Sequence, residues 1–214
     1  MDEQAVLQIL GRVGAVITDS HFVYTSWRHG SAYTNKDALY PHTAKTSLLC
    51  REMAKWFAND DVQVVIAPAI GGVILSQWTA FHLSELTSRE VLGVYADRAK
   101  VDGENVFAIK RGYDKLIEGK KVLVVEDLLT TGGSVYKVVV AVRAAGGKIL
   151  GVGILCNRGG VTSAALGGVP KLFALANVQM DTWDEKECPL CAKGVPINTD
   201  VGHGREFLAK RQPV

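Results

Sequence analysis

The stretch Val124–Ser134 reads VVEDLLTTGGS. It closes the apolar run KKVLVVEDL, which begins at Lys120. β-Branched residues on both faces of such a run predict a strand buried from both sides. The strand ends in two acids, Glu126 and Asp127, followed by a turn of threonines and glycines and a helix predicted from about Gly133 to Ala145. Glycines at a strand-to-helix turn let backbone N–H groups come close to an anion. The helix N-terminus adds oriented donors and a partial positive charge. Thr130, Thr131 and Ser134 add hydroxyls, so the turn suits one phosphate monoester. The P-loop lysine is missing, and the pattern is not GxGxxG. Two carboxylates would repel the phosphate and suit vicinal hydroxyls or magnesium instead. A phosphate beside a polyol points to a ribose 5-phosphate.

The rest of the chain repeats the same alternation. VQVVIAP from Val62, VLGVY from Val91, KILGVGILCN from Lys148 and KLFALANV from Lys171 read as further strands. Helices are predicted over Glu3 to Arg12, Thr43 to Ala58 and about Val73 to Leu86. This is an α/β pattern, a mostly parallel twisted sheet with helices on both faces. Ligands of such sheets bind beyond the carboxyl ends of the strands. That rule selects three loops: Pro68 to Gly72, Asp97 to Asn105, and Glu126 to Ser134. ADRAKVDGEN, from Ala96, is polar and reads as a mobile loop. HFVYTSWRHGSAYTNKDALYP, from His21, alternates aromatic and polar residues and predicts short strands and turns.

The 214 residues fit one domain, of which 48% are apolar and 21% charged, ordinary for a globular protein. A net charge of +2 gives no reason to expect a nucleic-acid or membrane surface. No apolar run is long enough to span a bilayer. The start MDEQAVLQIL is acidic and unlike a signal peptide, so a cytoplasmic location is expected. Four cysteines are too few for a disulfide framework in a chain this long. Cys188 and Cys191, in ECPLCAKGVP, supply two zinc ligands where about four are needed. His203 is a candidate third and no fourth is evident, so packing is the expected role and no metal site is expected from protein side chains. INTDVGHGREF, from Ile197, suggests no role.

VLVVEDLLTTGGS closely resembles the phosphoribosyl pyrophosphate signature of type I phosphoribosyltransferases. The resemblance implies that Glu126 and Asp127 hold the ribose 2- and 3-hydroxyls. It places the 5-phosphate on Thr130, Thr131, Gly132, Gly133 and Ser134. HFVYTSWRHGSAYTNKDALYPH is similar to the pattern of the orotate-using branch of that family, through Thr25, Ser26, Arg28, His29, Tyr33 and Asn35. Trp27 departs from it, standing where that pattern has glycine, and is expected to reshape the base pocket. By the same resemblance Arg28, Tyr33, Asn35, Lys36 and Arg158 form the base site. Arg158, in CNRGG, meets the orotate carboxylate, a task that suits its fork of donors. IAPAIGGV resembles the pyrophosphate loop, with Ala69, Ile70, Gly71 and Gly72 but no lysine. The Asp97–Asn105 region sits where the family has its flexible catalytic loop, bringing Arg98 and Lys100, with Arg111 beyond it.

The resemblance covers roughly residues 21–196. It implies a type I phosphoribosyltransferase fold over residues 1–214, with a small hood from about 15–42 and 178–214. The implied reaction moves phosphoribose from phosphoribosyl pyrophosphate to orotate with Mg2+, in a homodimer that shares catalytic loops between sites. No nucleic-acid or membrane partner is expected. Lys100 is the best loop candidate for a proton donor, with Arg98 offsetting charge on the leaving group. Two other readings stay open: the same chemistry on another base, such as a purine, and a non-catalytic regulator that binds phosphoribosyl pyrophosphate or nucleotide.

Overall fold

The computed structural model describes residues 1–178 and 181–211. The chain opens with helix α1 (Glu3–Arg12), started by the Asp2 side chain, which accepts from the Ala5 N–H at 2.8 Å. Four two-residue strands follow: β1 (Val16–Ile17), β2 (Phe22–Val23), β3 (His29–Gly30) and β4 (Tyr33–Thr34). Then come α2 (Thr43–Phe57), β5 (Val64–Pro68), α3 (Gly71–Thr87), β6 (Leu92–Val101), β7 (Glu104–Ala108), α4 (Tyr113–Ile117), β8 (Lys121–Leu129), α5 (Gly133–Ala144) and β9 (Lys148–Asn157). The chain closes with β10 (Leu172–Asn177), β11 (Thr182–Trp183), α6 (Pro189–Ala192) and α7 (Gly204–Arg211).

The main sheet has the order β10-β9-β8-β5-β6-β7. Every pair is parallel except β6 with β7. Strand alternation divides the core in two. Val65, Ala67, Leu123 and Val125 face one layer, with Val6 and Leu10 of α1, Leu49, Met53 and Phe57 of α2, and Leu75 and Leu83 of α3. Val64, Ile66, Val122 and Val124 face the other, with Ile117 of α4 and Val135, Val138, Val139 and Val142 of α5. Each fully buried Val or Leu contributes about 1.5–3 kcal/mol relative to exposure. A charge at Val124 would therefore break the sheet at its centre. None of the described helices is long and apolar enough to cross a membrane.

The structure changes two expectations about elements. Helix α3 begins at Gly71, so both glycines of IAPAIGGV lie inside its first turn. The polar stretch expected as a mobile loop is an antiparallel hairpin of β6 and β7, paired from Asp97↔Ala108 to Val101↔Glu104. Asp102 and Gly103 form its turn, both with positive φ (50° and 83°). That is the two-residue Asp-Gly geometry that matches strand twist.

A second, three-stranded sheet has the order β11-β3-β2 and joins an early segment to a late one. His21 bridges to Ile197 beside it. Within the late segment, residues 179–180 and 212–214 lie outside the described residues.

Candidate active site

Strand order reverses between β5 and β8, because β6 leaves β5 on one side and β9 follows β8 on the other. Such a reversal opens a crevice at the carboxyl ends of the strands. A cleft of about 1160 Å³ lies there, between the Pro68–Gly71 turn and the residues from Glu126 to Val135. A second cleft of about 780 Å³ adjoins it, and the two share Lys36, Asp37, Leu128 and Thr130. Each is within or near the usual size for a small-ligand site.

Glu126 and Asp127 lie near the end of β8 and are 7% and 5% exposed. Carboxylates this buried need partners. Asp127 accepts a short hydrogen bond from the Tyr40 hydroxyl and pairs with Lys36 Nζ at 3.5 Å. Glu126 Oε1 accepts from the Asp127 N–H at 3.1 Å. Burial pushes the Glu126 carboxyl up to about 8, and the adjacent Asp127 charge adds to the rise. Burial also raises Asp127, against the opposing pull of Tyr40 and Lys36. Tyr40 is raised by burial and by the neighbouring acids, so it stays a donor.

The turn after the acids lies along the first cleft from Leu128 to Val135. Gly132 precedes α5 with φ of 78°, a left-handed conformation that favours glycine. A Cβ there would also meet the Leu166 side chain at 2.7 Å. Gly133 N–H reaches only the Thr131 hydroxyl, at 3.4 Å. The helix start therefore offers its amide donors to a ligand. On the side of β5, the cleft is lined by Pro68, Ala69, Ile70 and Gly71. Gly72 does not line it. A Cβ at Gly72 would meet that of Ala67 at 2.6 Å, so it packs helix on strand.

Arg158 connects the two clefts. It donates from Nε to Thr130 Oγ1 and from Nη1 to Thr34 Oγ1, both at 2.9 Å. The next residue, Gly159, presses on the Thr130–Ser134 turn so closely that a Cβ would overlap the Thr130 carbonyl oxygen. Arg28, Tyr33, Asn35, Lys36 and Arg158 all line the second cleft, so the structure brings the expected base residues together. Arg28 is held by Thr182, accepting through its carbonyl at 2.8 Å, and by Asp184 at 3.1 Å. Lys36 belongs to both clefts and reaches the acid pair as well.

Trp27 does not do what its sequence position suggests. It has φ of 62°, which accounts for a glycine at the corresponding place in a similar pattern. Its ring turns towards α7, 6.1 Å from the His203 ring and 6.5 Å from that of Phe207, with Lys210 Nζ 3.8 Å from its centre. It lines neither cleft.

The hairpin divides the expected basic residues. Arg98 lines the first cleft and lies 5.5 Å from the Phe107 ring centre. Lys100, two residues further out, is exposed and outside both clefts. Arg111 is also outside, paired with Asp97 at 3.5 Å and set over the Tyr95 ring. Sequence reasoning missed Tyr40 and Asp37 as cleft residues, and it placed Asp97 at the start of a ligand loop without giving it a role. Tyr40 lies directly before α2 and carries no motif.

Residues 36–184 match the family described as the phosphoribosyl transferase domain. An orotate phosphoribosyltransferase from Caldanaerobacter subterraneus subsp. tengcongensis is 34% identical over 197 residues, covering 92% of this chain and 96% of that protein. One from Pelotomaculum thermopropionicum is 36% identical over 196 residues, covering 92% and 95%. The crystal structure of orotate phosphoribosyltransferase from Aeropyrum pernix superposes with a TM-score of 0.59 at 26% identity, covering 80% of this chain and 93% of that one.

Proposed function

The chain belongs to the phosphoribosyl transferase domain family, and on that premise we propose that it transfers phosphoribose from phosphoribosyl pyrophosphate to N1 of orotate. The products are orotidine 5′-monophosphate and pyrophosphate, a step of pyrimidine synthesis. One observation carries the choice of acceptor. The cleft beside the acid pair is lined by three cations, Arg28, Lys36 and Arg158. Orotate bears a planar carboxylate that a guanidinium fork can grip, and purine bases carry none. The curated relatives' names agree with this reading.

The 5-phosphate sits on the amides and hydroxyls of Thr130–Ser134 at the start of α5. Glu126 and Asp127 accept from the ribose 2- and 3-hydroxyls and face positive charge developing at C1. The diphosphate runs towards the Ala69–Gly71 amides, with Arg98 above it. Magnesium fits this arrangement, since the cleft offers the hard oxygen donors of Glu126, Asp127 and Asp97. When bound on the diphosphate, it offsets the charge gathered by the leaving group. The chain's own part is to hold the sugar by two fixed acids and to aim the base by Arg158.

Lys100 and Arg111 stand outside the cleft of their own chain. That placement supports a homodimer in which the hairpin completes the neighbour's site. The three-stranded sheet and the segments around it act as a hood over the base in a single-domain enzyme. Four unpaired cysteines suit a reducing, cytoplasmic setting.

The decisive assay is loss of orotate absorbance in the presence of phosphoribosyl pyrophosphate and magnesium. The expected result is turnover that needs both, with adenine and guanine inert as acceptors. Binding of phosphoribosyl pyrophosphate without orotate turnover would overturn the acceptor.

A further inference from the structure

Four ligand-type side chains meet at a point that neither cleft uses. His21, His29, Cys188 and Cys191 place one ligand atom each within 4.8 Å of all the others. His21, His29 and Cys188 are buried and Cys191 is half-buried. None of the four lines either cleft. The sequence hid this grouping, because the cysteines lie far beyond the histidines in the chain (167 positions from His21 to Cys188, 162 from His29 to Cys191). His203, the candidate third ligand in the sequence, is elsewhere, against Trp27 and the base cleft.

The distances have the form of a coordination shell. Cys188 Sγ is 3.6 Å from His21 Nε2, and Cys191 Sγ is 3.8 Å from His21 Nε2 and 3.4 Å from His29 Nδ1. Bonds of about 2.0–2.1 Å to nitrogen and about 2.3 Å to sulfur give a tetrahedral N···S edge of about 3.5 Å. The two ring nitrogens are 2.7 Å apart, a hydrogen-bond distance. A central cation would open that edge to about 3.3 Å. His21 is already held in place for ligation. His21 Nδ1 lies 2.8 Å from the Val195 carbonyl oxygen. Donating there fixes the tautomer and leaves Nε2 free to ligate, as metal-bound histidines are commonly held. The Cys191 N–H points to Cys188 Sγ at 3.4 Å.

Donor chemistry selects the ion. Two imidazoles and two thiols form a set suited to zinc, and a closed set of four leaves no position for substrate. We propose that His21, His29, Cys188 and Cys191 form a structural zinc site that clamps the late segment 188–197 onto the early strands β2 and β3. Zn2+ displaces one proton from each thiol, so the dication and two thiolates leave the site neutral. The clamp has a mechanical reason. The sheet β11-β3-β2 is made of two-residue strands, too short to be stable alone. It nevertheless carries Arg28 and Thr182 to the base cleft.

The test is metal content of the full chain, purified without chelator and measured by mass spectrometry. About one zinc per chain is expected. The Cys188→Ser/Cys191→Ser double variant should lose it, while Cys50→Ser and His203→Ala should keep it. Removing zinc from the wild type should lower the melting temperature by roughly 5–10 °C, recovered on adding zinc back. Should the double variant fail to fold, cobalt added to the metal-free wild type decides. Tetrahedral d–d bands with thiolate-to-cobalt charge transfer are expected. Zinc-free protein that takes up cobalt without a thiolate band would overturn the site, as would zinc retained by the double variant. These readouts do not depend on which base the enzyme uses.

Discussion

Tyr40 donates its hydroxyl proton to Asp127 Oδ2 across the floor of the first cleft. The bond joins the approach to α2 to the end of β8, 87 residues apart in sequence. It shares that oxygen with Lys36 Nζ, 3.5 Å away. Asp127 is thus aimed before any ligand arrives.

Replacing Tyr40 by Phe should leave the fold intact and loosen that aim. The loss of one charge-assisted hydrogen bond is worth about 1.5–3 kcal/mol. We expect the KM for phosphoribosyl pyrophosphate to rise about tenfold or more, with the KM for orotate little changed. Steady-state kinetics with each substrate varied in turn would measure this. An unchanged KM for phosphoribosyl pyrophosphate would remove Tyr40 from the site.

The acid pair makes the ligand-free protein sensitive to pH in a definite direction. Glu126 ionises near 8 when folded and near 4.5 in its ordinary state. Between those values the folded chain holds a proton that the unfolded chain has released. Stability therefore falls as pH rises through that window, by up to about 1.4 kcal/mol per pH unit. The rise at Asp127 acts in the same direction. Denaturant titrations from pH 5 to about 8 should show the decline, and Glu126→Gln should flatten it. Stability that increased with pH would contradict this environment for Glu126.

If the hairpin serves the neighbouring subunit, two inactive chains should rescue each other. Lys100→Ala leaves its own acids intact, and Asp127→Asn leaves its own hairpin intact. In a mixed dimer one site receives both good halves. Equal mixing followed by exchange should restore about a quarter of wild-type activity. No recovery, with exchange shown by mass, would place the hairpin over its own cleft.

Trp27→Gly should be nearly silent in catalysis. Glycine relieves the left-handed backbone at a gain of about 1 kcal/mol, but the substitution loses the contacts to His203, Phe207 and Lys210. We expect a small net change in melting temperature and orotate kinetics within about threefold of wild type, under 1 kcal/mol. A large change in the KM for orotate would put Trp27 back into the base pocket.

Sequence made the centre of the molecule legible because local rules and burial agree there. Val122 to Val125 are apolar on both faces and β8 is buried on both faces, so pattern and environment coincide. The acids and the Thr130–Ser134 turn are contiguous, and their chemistry could be read as one unit. Reading failed where polarity hid regular pairing. ADRAKVDGEN looks like a loop because β7 and the outer half of β6 have little to bury, although the Asp102-Gly103 turn was present as a signal. It failed again where partners converge from distant segments, as Tyr40 does on Asp127 and His21 does on Cys188. No local spacing encodes such meetings. Trp27 misled because glycine at its position answers to backbone angle and not to space in the pocket.

The contact between Gly159 and Thr130 limits how this scaffold could diversify. Arg158 and the phosphate turn are welded at that point, so neither can be lengthened or re-aimed without disturbing the other. A descendant enzyme that adopted a new acceptor base could not easily reshape that wall and still keep its grip on phosphate. Innovation would fall instead to the opposite wall, at Thr25 and Ser26, whose exposed side chains line the second cleft and can change chemistry while Arg158 and its turn are inherited intact.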